Sequence, residues 1–244
     1  MPKTVKKKVD HRPRVAAQRR ATMQARLLLG TLQLLSKKQV SDISINDLIH
    51  QENVSRGTFY KYFDSLSHVF AMLAARLDAE LSPIADQFIA CIPDAATRVA
   101  TGTRLFLHVG SSAPVFGKLM VQSGWPVPHS EYNFLTFLDR DIQLATTQGV
   151  FEVLPPSVAA HLIVGPMIGG LQTMLLGQTQ PDYAEQLTLR ILISLGMNRA
   201  AAQKALRVPI PELPLQSAGF IGEIVRMGRI DRSTGVHFKH SRED

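Results

Sequence analysis

Within residues 43–63, ISINDLIHQENVSRGTFYKYF, side chains able to meet a polyanion are concentrated on a few positions. With Ser55 as the N-cap of a helix turning about 100° per residue, Phe59 and Phe63 fall within about 40° of each other. Gly57, Thr58 and Lys61 fall on the opposite side, flanked by Tyr60 and Tyr62. One side is an aromatic anchor for a core. The other offers a small residue, a hydroxyl, a cation and two phenols. Gly57 lets a backbone come close, Thr58 and the tyrosines can hydrogen-bond phosphates or base edges, and Lys61 supplies charge. Ser55 and the amides at the helix start suit a phosphate. This is chemistry for binding a groove.

The preceding residues supply a support for that face. Ser44 caps a short helix with Asp47 at its third position, and Ile43 can staple to Leu48. That helix ends near Asn53, and Val54-Ser55 opens the next. Two short helices joined by a tight connection, the second carrying such a face, form a helix-turn-helix. Ordinary bundle helices with a solvated polar side are the plainer alternative. They leave two outward tyrosines, the early glycine and the local charge unexplained.

The charge is concentrated at one end. Residues 1–76 hold 14 Lys/Arg against 5 Asp/Glu, whereas the other 168 residues hold 13 against 15. A basic head on a nearly neutral body suits a polyanion at the head alone. A membrane surface is the competing polyanion, but the head lacks a sustained apolar face with aromatic anchors. No membrane partner is expected.

Helical periodicity runs through most of the chain, with no strand-turn-strand pattern and no internal repeat. Residues 1–17 read as a flexible basic arm. Ala21, Ala25, Leu28, Leu32 and Leu35 then share one face of a helix starting near Gln18. A fourth helix starts at Asp64-Ser65, carries Val69, Leu73, Leu77 and Leu81 on one face, and stops at Pro83. Further helices are expected over 84–92, 95–109, 113–123, 131–148, 156–176 and 182–205. After Arg207, the three prolines of Val208–Pro214 impose an extended chain, and Phe220, Ile221, Ile224 and Val225 mark a short amphipathic helix. The expected fold is all-α, a three-helix head over 18–64 followed by a helical body over 65–207 and an extension over 208–244.

Composition narrows the classes. Hydrophobic residues at 45% and charged residues at 19% describe a globular chain with a substantial core. The longest apolar run, Leu162 to Leu171, is shorter than the roughly 18 residues a membrane span needs. The single cysteine, Cys91, excludes a disulfide scaffold. No apolar segment follows Met1 as in a secretory signal, so a cytoplasmic protein is expected. An enzyme finds little support: Gly110 to Lys118 resembles a phosphate loop, but six residues separate its glycines and Leu119 stands in place of Ser/Thr. His237 and His240 in the polar tail and Cys91 have ordinary solvation or packing roles, so no catalytic residue, metal ligand or cofactor is expected.

Residues 18–76 resemble the DNA-binding head of the TetR family of transcriptional regulators. VSRGTFYKYFDSLSHVF follows the family pattern around its recognition helix, and Ile45 to Ile49 fits the helix before it. The resemblance implies a homodimer whose two heads read a palindromic DNA operator. It also implies a linking helix into a helical ligand-binding and dimerisation domain, and repression relieved by a small molecule. By matching position it assigns Arg56, Thr58, Tyr60, Lys61 and Tyr62 to DNA contacts, and the candidate face also takes in Ser44, Ser55 and Gly57. Leu66 departs from the pattern where many relatives carry Lys, which removes one phosphate contact that the long basic arm could replace. The 156–176 and 182–205 helices, with Gly165, Gly169 and Gly170 for close approach and Pro166 for a kink, are expected at the subunit interface.

Trp125, His129, Tyr132, Phe137, Met167 and Met174 are the candidate lining of an apolar effector pocket, with Met120 and Phe134 beside them. His129 or Tyr132 would give it a polar handle. An architectural DNA-binding protein without an effector is the main alternative, and it would not need so large a neutral body.

Overall fold

The computed structural model describes residues 12–123, 132–177, 179–214 and 219–226, which divide into a head, Met1–Val69, and a body, Phe70–Asp244. Among these residues every regular element is helical.

In the head, α1 spans Arg12–Leu35, so residues 12–17 form its first turns rather than part of an arm. Pro13 is tolerated in a first turn, where its missing amide is not needed, and Ala16, Ala17 and Gln18 favour a helix. Residues 14–20 are all exposed, which is why no apolar periodicity marks them. The rest of the expected arm, residues 1–11, lies outside the described residues.

A 3-10 turn at Val40–Asp42 leads into α2, Ile45–Gln51. The Asp47 amide donates to Ser44 Oγ at 3.2 Å and the Ser44 amide donates to Asp47 Oδ2 at 2.8 Å, closing the expected capping box. Asn53, at φ 48°, turns the chain toward α3, Arg56–Tyr60. From α1, Arg26 Nε donates to Glu52 Oε2 at 2.8 Å and the Gln51 amide group donates to the Gly30 carbonyl at 2.8 Å. A Cβ at Gly30 would lie 2.3 Å from Glu52 Oε1, so the glycine permits this approach. Leu27, Leu32, Leu48, Phe59 and Phe63 form the head's buried centre.

The body begins within α4, Leu66–Ile89, which continues through Pro83 instead of stopping there. Leu73, Leu77, Leu81 and Ile89 are buried along it, and that burial offsets the roughly 3 kcal/mol a helical proline costs. The central helix is α5, Ala95–Ser112, with 13 of its 18 residues buried. Around it lie α6 (Pro114–Ser123), α7 (Asn133–Thr147), α8 (Pro156–Leu175), α9 (Tyr183–Ser194) and α10 (Arg199–Ala205). The glycines of the apparent phosphate loop serve packing, since a Cβ on Gly117 would lie 2.2 Å from the Gly110 carbonyl oxygen. The expected 182–205 helix divides at Gly196, whose φ of 97° no helix accommodates, and Asn198 caps the second part. By length and composition α8 could cross a membrane, its polar and small residues being too few to offset the rest; 39% of its most apolar window is buried in this chain. The C-terminal extension has no regular element over 209–214 and includes α11, Gly219–Arg226.

Candidate DNA-binding face and effector cavity

Of the eight candidate DNA residues, Ser44, Ser55, Arg56, Gly57, Tyr60 and Lys61 are exposed, and Thr58 and Tyr62 are half-buried. α3 is short: Lys61 is its C-cap, and the Tyr62 and Phe63 amides both bond back to the Phe59 carbonyl. Phe59 and Phe63 face inward with ring centroids 5.9 Å apart, as their spacing requires. A Cβ on Gly57 would meet only Ser55 Oγ, at 3.8 Å, so nothing inside this chain demands a glycine there.

Three hydroxyls of the set are engaged within the head. Ser44 Oγ donates to Asp47 Oδ2 at 2.7 Å, and Ser55 Oγ accepts the Thr58 amide at 3.0 Å and shares a hydrogen bond with Thr58 Oγ1 at 2.9 Å. Lys38 Nζ donates to Asp47 Oδ1 at 2.7 Å, and the Lys38 and Ser44 bonds hold the Asp47 carboxyl well below the usual carboxylate range. The sequence reading missed Arg20. Its guanidinium lies over the Tyr62 ring, 5.8 Å from the centroid, and adds a cation to the face from α1. The two are 42 positions apart, and the sequence between them carries no local signal of this pairing.

The body holds a cavity of about 80 Å³ between α4, α5, α6 and α7, with Leu213 of the extension on its wall. Phe106, Phe116, Phe134 and Phe137 give it aromatic surface, Phe106 and Phe134 stacking at 5.6 Å with planes 31° apart. Part of the wall is ionic. Arg140 binds Asp86 with two bonds, at 2.8 and 3.0 Å, and Asp141 with two more, both at 3.0 Å. Arg98 Nη1 reaches Asp141 Oδ1 at 3.3 Å. The bonds to Asp86 and then Asp141 push the Arg140 guanidinium further above its ordinary range. Two cations and two anions leave this wall neutral, with Asp86, Arg98, Asp141 and the hydroxyls of Ser82 and Thr103 among the lining residues.

Of the expected pocket residues, Phe134 and Phe137 line this cavity. Tyr132 is buried elsewhere, its hydroxyl donating to the Ala71 carbonyl at 3.5 Å. Met120 and Met167 are buried in the packing of α6 and α8 with α5, and Met174 is half-buried on α8. Helical periodicity identified them as inward-facing without telling which neighbour they face. Trp125 and His129 lie outside the described residues. Asp86, Arg98 and Asp141 were missed because their pairing joins three helices. Among the described residues no cluster of His, Cys, Asp or Glu is placed to hold a metal.

Residues 94–207 match the family model of the tetracyclin repressor-like C-terminal domain. No curated protein matches the chain at a significant level. Among solved structures, RolR in complex with resorcinol is similar at 22% identity and TM-score 0.68, over 81% of this chain and 99% of that one. A TetR-family regulator from Syntrophomonas wolfei follows at 20% identity and TM-score 0.53, over 79% of this chain and 100% of that one. FadR from Bacillus subtilis in complex with stearoyl-CoA shares 14% identity at TM-score 0.52, over 70% of this chain and 96% of that one. A helix-turn-helix at one end and a tetracyclin repressor-like C-terminal domain over residues 94–207 are the two parts that the head's resemblance to the TetR family implies.

Proposed function

We propose that this regulator acts as a cytoplasmic repressor, binding a palindromic operator as a homodimer and leaving it when a small ring compound fills the body cavity. The observation that carries the DNA half is the exposed Gly57, Tyr60 and Lys61 set on a helix whose other side is fixed by buried Phe59 and Phe63. Recognition helices of a dimer would enter successive major grooves roughly 34 Å apart.

Support for the dimer comes from α8. Gly165 and Gly169 have open space where a Cβ would stand, and Val158 and Leu176 are exposed at 42% and 67%. Small residues on an apolar helix with nothing among the described residues against them suit a second copy.

Chemistry supports the effector class, and the cavity of about 80 Å³ limits it to a small compound. A long acyl chain does not fit that space, and a single ring with a hydroxyl would place carbon on the phenylalanines and its polar atom toward Asp86, Arg98 or Thr103. RolR, with its resorcinol, is the relative in keeping with this chemistry. α4 begins in the head and carries Leu81, Ser82, Ala85, Asp86 and Ile89 along the cavity, which gives a ligand a helix through which to act. The coupling expected of such a device is about 1 to 3 kcal/mol.

The test is footprinting on DNA upstream of the gene, repeated with resorcinol. An inverted-repeat footprint that resorcinol or a related phenol removes is the expected result. Binding without sequence preference, unaffected by any phenol, would support the architectural alternative.

A further inference from the structure

We propose that the C-terminal extension is a wall of the effector site, and that Leu213 sets the size of the ring it admits. This rests on the effector reading above. In the extension Pro209, Glu212 and Pro214 are exposed while Leu213 is 1% exposed and lines the cavity. One side chain thus turns inward from a segment whose backbone three prolines restrict. Prolines lower the entropy lost in holding one shape, so the segment is a stiff strap.

The strap is fastened at both ends by groups within the body. At its start, buried Arg104 of α5 donates to the Leu206 carbonyl at 2.9 Å and to the Val208 carbonyl at 2.6 Å. Beyond it, Glu80 of α4 accepts the Phe220 amide at 3.1 Å and the Ile221 amide at 2.9 Å, a carboxylate closing the N-terminus of α11. Gly219 is required there. Its φ is 76°, and a Cβ would lie 2.7 Å from Glu80 Oε2. Ile221 and Ile224 are buried, so α11 is seated as well as capped. Glu80 itself does not line the cavity.

Two ring sizes and the full-length protein test this. Phenol and 1-naphthol are titrated by calorimetry, and their release is followed after rapid dilution. The native protein is expected to prefer phenol. Leu213→Ala should shift the affinity ratio toward 1-naphthol by about tenfold or more, the discrimination a few methylenes provide. Leu213→Phe should weaken phenol instead. Glu80→Ala should speed release of phenol, an effect foreign to a residue that only fills core. If the native protein binds phenol and all three variants keep its ratio and release rate, the extension is no part of the site. If the native protein binds neither ring, the effector reading falls and this inference with it.

Discussion

Phe59 and Tyr60 are adjacent in the chain and meet edge to face, ring centroids 5.3 Å apart with planes at 83°, yet Phe59 is fully buried and Tyr60 is 48% exposed. The core of the head therefore fixes the direction of the candidate DNA-binding face. A side chain packed on a rigid neighbour loses little entropy on binding, which favours Tyr60 as a reader.

Tyr60→Ala and Lys61→Ala should each weaken operator binding by on the order of 1 to 3 kcal/mol with the head's melting unchanged. Phe63→Ala should lower the head's stability by about 3 to 5 kcal/mol through the cavity it leaves. Fluorescence anisotropy and circular dichroism separate the two effects. Unchanged affinity in both surface variants would remove this face from the DNA interface.

Gly165→Leu with Gly169→Leu should dissociate the dimer without harming the protomer. Neither position has a neighbour within 4 Å that an added Cβ would meet. Each glycine also costs a helix about 1 kcal/mol relative to a good helix former, so the folded chain gains slightly. Sedimentation should show a monomer that melts no lower than the native protein. A dimer that persists would place the interface elsewhere.

Local patterns revealed local structure. The caps at Ser44 and Ser55 and the Phe59/Phe63 anchor depend on residues three or four apart, and the structure has all of them. Pro83 misled because a proline's local penalty competes with burial of Leu77, Leu81 and Ile89, which only the tertiary fold supplies. The cavity was hardest to read. Phe134 and Phe137 are marked by aromatic character, but Asp86 and Arg140 are 54 residues apart and Leu213 arrives from the extension. Charges distant in sequence look like surface until the helices are assembled.

Acid should loosen α2. The Asp47 carboxyl is depressed chiefly by its bond to Lys38, so its contribution is present above the unfolded value of about 3.9 and is lost as pH falls below it. Glu185, depressed by its bond from His108, acts in the same direction in the body. Asp78 acts oppositely: burial raises its pKa, so the stability linked to it is full at low pH and is lost as pH rises through that raised value. The protection factors of the α2 amides, corrected for intrinsic exchange, should fall below about pH 4 in the native protein and show a flatter pH response in Asp47→Asn. Parallel profiles would show that the capping box is not what acid removes.

The remaining prediction concerns residues 1–11, which precede α1 and hold Lys3, Lys6, Lys7 and Lys8 against Asp10. In sequence they lead into α1, which carries Arg14, Arg19 and Arg20, the last of them over the Tyr62 ring. Basic segments next to a groove-reading helix can follow the phosphates or enter the minor groove. Each phosphate neutralised steepens the fall of log affinity with log salt by about 0.9 on duplex DNA. Deleting residues 1–11 should therefore flatten that slope and lower affinity for operator and random DNA alike, while preference for the operator stays with Tyr60 and Lys61. Loss of preference at particular A·T positions would instead mean minor-groove readout. A truncated protein with the native slope and affinity would show that these lysines do not touch DNA.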